Sequence, residues 1–200
     1  MSSAEEIRDA LRCFRRRGIR RFGTRRAAVA VTVVTGAEGP AVLVARRADV
    51  VLNNVGGGYP GQLALPSGWT DRWGSAPRVA RRRLATELGM RLPPQSVLGL
   101  LDDYATHTKL VITPVVLWAG ERAESVHRQE ALAAEVFAVP FTELDIEPVF
   151  VASSESDRPV IRLPLHGGWL HAPTAAVLHQ FREVVLHRRR TRVAHLDQPV

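Results

Sequence analysis

Apolar residues follow two kinds of pattern along this chain, one typical of helices and one typical of strands. Ile7 and Leu11 are spaced as on one helix face, with acids and arginines at the other positions, so residues 3–17 are predicted to form an amphipathic helix. The stretch 27–35, by contrast, is a β-branched apolar run, and a second run at 41–45 follows a turn-rich GAEGP. The two runs predict a β-hairpin or a pair of neighbouring strands.

The rest of the chain alternates the same patterns. A long irregular stretch at 46–60, which holds three consecutive glycines, is predicted to be a loop beside a pocket. Helices are predicted at 76–88, at 127–134 and, after a turn at 166–168, at 174–187. Further strands are predicted at Gln62–Leu65, Val97–Tyr104, Leu110–Trp118 and Val136–Val139, and in the segments PVFVASS and PVIRLPL.

This order of elements predicts an α/β fold in which a mixed β-sheet is sandwiched between helices. A chain of 200 residues fits one compact domain. We place that domain at residues 27–187, after a helical, Arg-rich extension at 1–26 and before a basic tail at 188–200.

Composition is that of an ordinary globular protein, with 46% hydrophobic and 24% charged residues. No apolar run approaches the ~20 residues that a bilayer crossing requires, and the N-terminus lacks the apolar region of a secretory signal. A single cysteine, Cys13, cannot form a disulfide within the chain. We therefore expect a cytoplasmic protein that does not interact with membranes.

The net charge of +7 comes almost wholly from arginine, because Lys109 is the only lysine. Eight arginines lie within residues 12–26 and four within 188–192. Such clusters attract phosphates or nucleic acid, or simply form solvated surfaces. No aromatic-interleaved or nucleic-acid motif accompanies them, so a small anionic ligand is expected rather than a nucleic acid.

One motif carries specific chemistry. From Gly68 the chain reads five residues, Gly74, seven residues, and then RRLATELGM ending at Met90. This frame resembles, without a gap, the Nudix box G-x5-E-x7-R-E-U-x-E-E-x-G-U, in which U is aliphatic. Gly74, Arg83 and Thr86 stand where the Nudix hydrolase superfamily has glutamates, whereas Glu87 is retained.

Flanking segments extend the resemblance to roughly residues 27–187. The segments LVARRA, GQLALPSG, LDDYAT and VITPVV are similar to the coenzyme A diphosphatase branch of the superfamily. Two features differ from that branch: Leu52 stands where its coenzyme-A-associated arginine is expected, and VGGGYP resembles an insertion. Both weigh against coenzyme A specificity.

The resemblance implies hydrolysis of diphosphate-linked substrates with Mg²⁺ or Mn²⁺. Positions 83, 86 and 87 share one helix face, so in the superfamily their carboxylates converge on the metal. Here Glu87 is the box carboxylate left to act as a metal ligand or catalytic base, and Arg83 is placed to contact an anionic ligand directly. The competing interpretation is an ordinary Arg83–Glu87 surface ion pair at i,i+4 spacing.

The remaining site candidates surround the box. His107, just after LDDYAT, is a candidate acid, base or ligand contact, or a satisfied histidine. Arg47, Gly68 and Trp69 are predicted to bind substrate together with Arg83. Trp69 would stack on a planar ligand or pack in the core.

Three functions remain open on these residues. The first, and favoured, is a Nudix hydrolase homologue for nucleoside diphosphate or coenzyme A-like substrates, with hydrolysis altered or lost. The second is a metal-independent enzyme on a small metabolite, and the third is a non-catalytic ligand-binding or regulatory protein. A homodimer is compatible with all three.

Overall fold

The computed structural model describes residues 3–20, 24–36, 38–47, 61–70, 74–106, 109–120, 133–153, 156–165 and 167–198, with the backbone alone at 47, 133 and 134. The helices are α1 Ala4–Phe14, α2 Ala76–Leu88, α3 Phe141–Leu144 and α4 Thr174–Phe181. The strands are β1 Arg25–Gly36, β2 Gly39–Arg47, β3 Leu63–Ala64, β4 Ser67–Trp69, β5 Val97–Leu100, β6 Tyr104–Ala105, β7 Leu110–Gly120, β8 Ala133–Pro140, β9 Val149–Val151, β10 Val160–Leu165 and β11 Gly168–His171.

The main sheet is mixed. Its strands run in the order β3-β2-β1-β7-β5, with β4 paired to β1, β6 to β7 and β8 to β2. The long central pair β1 and β7 is parallel, and the other pairs are antiparallel. The centre of the sheet is therefore one extended parallel pair with antiparallel strands on both sides.

Side chains of β1 alternate between two cores. Ala28 and Ala30 pack under α2, whereas Ala27, Val29 and Val31 pack against α1 and α4. Successive strand side chains point to opposite faces, so both faces of the sheet are covered by helices. The predicted α/β architecture, a mixed sheet between helices, is confirmed.

Helix α1 matches its prediction except that it ends at Phe14. Ser3 accepts from the Glu6 backbone N–H and Glu6 accepts from that of Ser3, so the two form a capping box. Ile7 and Phe14 are buried on the side that faces the sheet. The helix is therefore a packed part of the described fold, while the domain boundaries remain predictions.

The strand predicted at 97–104 is two strands, β5 and β6. Between them the backbone N–H of Asp103 donates to the carbonyl of Arg17, at 3.0 Å, and so pairs with the N-terminal segment. The Asp102 and Asp103 side chains are also buried. This interruption creates an acidic centre beneath the N-terminal segment.

The C-terminal third differs most from the prediction. The last strands form a separate three-stranded sheet, β11-β10-β9, and β11 lies where only a turn was predicted. The closing helix is α-helical to Phe181 and continues as a π-helix over Arg182–Leu186. The helix predicted at 127–134 falls outside the described residues except for 133 and 134, which begin β8.

No helix within the described ranges is long and apolar enough to span a bilayer.

Candidate functional site

The described residues of the box include strand β4 and helix α2, and the bounds of the helix match the prediction. Ser75 is in extended conformation before the helix, Pro77 lies in its first turn, and Gly89 ends it with φ of 68°. A left-handed residue at this position favours glycine, which has no Cβ to clash. Val79, Ala80, Leu84 and Leu88 are buried against the sheet, whereas Arg82 and Thr86 are exposed.

Arg83 and Glu87 form the centre of the candidate site. Arg83 Nε donates to Glu87 Oε1 at 3.0 Å and to the carbonyl of Ser67 at 2.6 Å. The backbone N–H of Ser67 donates to the same Glu87 oxygen at 3.3 Å. The ion pair expected from the i,i+4 spacing is therefore confirmed, and it also joins helix α2 to strand β4.

Gly68 accommodates the Arg83 side chain. A Cβ placed on Gly68 would lie 2.5 Å from Arg83 Cγ and 2.6 Å from Cδ, much closer than carbon atoms pack. The stem of the arginine thus lies directly over the glycine backbone. This contact brings two of the predicted substrate-binding residues together.

Trp69 lies at the end of β4, opposite Ala27 of β1. It is partly buried against the larger core, and Arg25 Cζ lies 3.8 Å from the centroid of its ring. This is the geometry of a cation–π contact. The ring therefore packs on the fold and has a guanidinium on one face, while its role toward a ligand stays a prediction.

The other replaced positions present no carboxylate. Thr86 is exposed, and its hydroxyl donates back to the carbonyl of Arg82 at 3.0 Å. Asp71, within the box, and His107 lie outside the described residues. Arg47 ends β2, and its side chain is likewise outside them.

The donor set around Glu87 does not fit a divalent cation. Mg²⁺ and Mn²⁺ prefer several oxygen ligands, and a guanidinium in contact with the Glu87 carboxylate opposes a second cation. Other carboxylates of the described residues, Asp102, Asp103 and Glu135, each pair with an arginine elsewhere. No group of three His, Cys, Asp or Glu residues that would hold a metal occurs in the described part of the chain.

Asp102 and Asp103 instead bind the N- and C-terminal segments. Asp103 accepts from Arg16 at 2.7 Å and from Arg26 at 2.9 Å, and Asp102 accepts from both the Arg17 backbone and Arg192. Sequence patterns indicated only that arginines cluster near the N-terminus. Their convergence on a buried acid was not predicted, because the partners are 77 or more residues apart.

Comparisons with known proteins give structural matches alone. No protein-family model matches the chain, and no curated protein is similar to it in sequence. The Nudix hydrolase RenU from M. Smegmatis is 22% identical, with 84% of this chain and 90% of that chain covered and a TM-score of 0.52.

Two further structures match at lower TM-scores. A MutT/nudix family protein from Enterococcus faecalis is 15% identical and covers 86% of this chain, which spans 63% of that protein's length, with a TM-score of 0.46. The NUDIX domain of Shewanella oneidensis NrtR, solved with ADP ribose, is 18% identical, with 61% and 76% covered and a TM-score of 0.44. The match to RenU supports the fold of this chain, and an identity of 22% supports the fold only. This chain therefore has the Nudix fold, an α/β fold with a mixed sheet between helices.

Proposed function

We propose that this protein is a Nudix hydrolase homologue that binds a diphosphate-linked small molecule and whose hydrolysis is altered or lost. The fold and the gapless box frame support the superfamily. The flanking segments favour a nucleoside diphosphate or coenzyme A-like ligand. The observation that carries the proposal is the contact of the Arg83 guanidinium with Glu87 and Ser67.

This contact changes what helix α2 offers a ligand. Glu87 Oε1 already accepts from Arg83 Nε and from the Ser67 N–H, so it is engaged in holding strand β4 to helix α2. A divalent cation would have to displace the guanidinium or share the carboxylate with it. Metal-assisted activation of water, which the superfamily's chemistry uses, is thereby disfavoured.

Arg83 itself is the group that would receive the anion. Only its Nε is used by described residues, and no described residue accepts from its two terminal nitrogens. Its side chain is 24% exposed, so a phosphate can approach the terminal N–H groups. A guanidinium matches two phosphate oxygens at once, and here it would neutralise charge without a metal.

The test is a binding and turnover panel on the full chain. Coenzyme A, ADP-ribose, dinucleoside polyphosphates and nucleoside triphosphates are each incubated with Mg²⁺, with Mn²⁺ and with EDTA. We expect binding to persist in EDTA and to weaken about tenfold or more in Arg83→Gln, because a charge-assisted contact is lost. Arg78→Gln, an exposed arginine of the same helix, is the matched control and should bind normally.

Turnover separates the alternatives. Metal-dependent hydrolysis that disappears in Glu87→Gln would contradict the proposed loss or alteration of the metal site. Turnover that persists in EDTA would identify the metal-independent enzyme. Binding without any turnover would be the outcome expected when hydrolysis has been lost.

A further inference from the structure

An open cleft lies between the N-terminal segment and the start of β1. Its volume is about 410 Å³, and it is lined by Arg16, Gly18, Ile19, Arg20, Arg26 and Asp103. Small-molecule sites typically have volumes of roughly 300–1,000 Å³. The cleft is therefore large enough for a phosphate-bearing ligand.

The lining carries an excess of positive charge. Its described residues contribute three guanidinium groups and one carboxylate, and that carboxylate is only 1% exposed. Asp103 is also fully used, since it accepts from Arg16, Arg26, the Ile19 N–H and the Thr113 hydroxyl. A ligand in the cleft thus meets cationic groups, while the acid is covered by its own partners.

Two of these arginines are held in place before any ligand arrives. Arg26 donates through one terminal nitrogen to Asp103 and through the other to the carbonyl of Ile19, at 2.8 Å. Arg16 lies against Gly18, where an added Cβ would come within 3.2 Å of Arg16 Nη2. Pre-ordered side chains lower the entropic cost of binding.

Arg20, the third arginine of the lining, differs from the other two in its contacts. It is exposed, and no described residue forms a hydrogen bond or ion pair with it. Its guanidinium can therefore take an anion without giving up an existing contact. It is also the residue whose replacement should disturb the fold least.

The cleft lies on the sheet face that also carries helix α2. Ala28 of β1 packs under α2 and pairs with Gly68 on one side and Thr113 on the other. Paired residues point to the same face, and strands about 4.8 Å apart place Gly68 and Thr113 roughly 10 Å from each other. Arg83 covers Gly68. Asp103, which accepts from Thr113, also binds Arg16 and Arg26, so Arg83 and the arginines of the cleft lie on one face.

We propose that this cleft is a second anion site, in which Arg16, Arg20 and Arg26 bind the phosphate or diphosphate group of a small molecule. The assignment goes beyond the function proposed above and is independent of whether helix α2 supports hydrolysis. Nucleic acid is the competing ligand class. Among the described lining residues no aromatic side chain is present to stack a base, which favours the small molecule.

The test uses inorganic pyrophosphate as the probe, in EDTA, with isothermal titration calorimetry on the full chain. We expect Arg20→Gln to weaken binding about tenfold or more, because a charge-assisted contact is lost. Arg12→Gln removes the same charge from an exposed position outside the cleft and should bind like the wild type. Thermal melting of both variants establishes that each is folded.

Two further measurements separate this proposal from its alternatives. Equal binding by Arg20→Gln and wild type, with loss in Arg83→Gln alone, would overturn the cleft assignment and leave the proposed function standing. A short DNA duplex that binds more tightly than pyrophosphate, with its affinity dependent on Arg20, would also overturn it. Loss in Arg20→Gln with normal binding by Arg12→Gln supports it.

Discussion

At the scale of single residues, Gly68 and Arg83 depend on each other. Gly68 does not have a positive φ, so its backbone alone does not require glycine. What requires it is the Arg83 stem, which a Cβ would contact at 2.5 Å. Gly68 and Arg83 therefore pack as one unit.

This unit predicts a non-additive pair of substitutions. Gly68→Ala should lower the free energy of unfolding by about 1–3 kcal/mol, because Arg83 must leave Ser67 and Glu87 or the loop must shift. In an Arg83→Ser background the same change should cost less than about 0.5 kcal/mol. Urea unfolding of the four proteins measures both numbers, and equal costs in the two backgrounds would rule out this contact as the reason for the glycine.

At the scale of elements, helix α2 folds as predicted and carries a single carboxylate, Glu87. Its start at Ala76, its end before Gly89 and its buried apolar side are intact. Arg83 and Thr86 are half-buried and exposed, respectively, so neither is needed in the core. The helix should therefore tolerate carboxylates at these positions.

This tolerance predicts recovery of metal binding. The triple variant Gly74→Glu, Arg83→Glu, Thr86→Glu should bind Mn²⁺ at least about tenfold more tightly than a control with glutamines at the same positions, because three oxygen donors join Glu87. Calorimetric titration of Mn²⁺ into both proteins measures the difference. Equal affinity would show that the surrounding pocket has diverged as well.

The closing helix carries a buried histidine, His179. Burial lowers the pKa of His179 below its ordinary value of 6.5, with Arg182 and His195 acting in the same direction and Glu183 and Glu147 opposing it. The Phe150 ring meets the histidine edge to face, with centroids 6.2 Å apart. His171 on β11 is shifted in the same direction, by burial and by Arg162.

These shifts fix the sign of a pH effect on stability. Below pH 6.5 the unfolded chain binds protons at these histidines that the folded chain does not, so stability is full above that pH and falls as pH decreases. Urea unfolding at about pH 7.5 and about pH 5.5 should show the loss, and His179→Phe should reduce it. A His179→Phe protein with an unchanged pH dependence would exclude the histidine as a source.

At the scale of the whole molecule, two adjacent buried acids join distant parts of the chain. Asp103 binds Arg16, Arg26 and Thr113, and Asp102 binds Gln180 and Arg192. Arg192 also donates to the Phe14 carbonyl and lies 4.2 Å from the centroid of that ring. Arginines near both ends of the chain therefore bind the buried Asp102 and Asp103 and also contribute surface charge.

Removing one of these acids should be costly. Asp103→Asn should lower the free energy of unfolding by about 1–3 kcal/mol, because the half-exposed Arg16 and Arg26 lose their counter-charge and an amide nitrogen replaces an oxygen that accepts hydrogen bonds. Residues 3–20 should also become easier to cleave in limited proteolysis. Asp157→Asn, at an exposed acid, should stay within about 0.5 kcal/mol of the wild type.

The sequence by itself determined the local elements and the composition of the box. Periodicity predicted α1 and α2 because the residues that make a helix amphipathic are neighbours along the chain. The same holds for the long apolar strands β1 and β7. Local spacing even predicted the Arg83–Glu87 pair, since i and i+4 residues meet on any helix.

Only the tertiary structure decided which distant groups meet. Strand β11 begins with glycine and has a single buried residue, Leu170, so its sequence has no strand pattern. It forms a strand because it pairs with β10. Arg16 and Arg26 form a cleft rather than a solvated surface because Asp103, far along the chain, is buried between them. Such contacts depend on long-range packing, which no local pattern encodes.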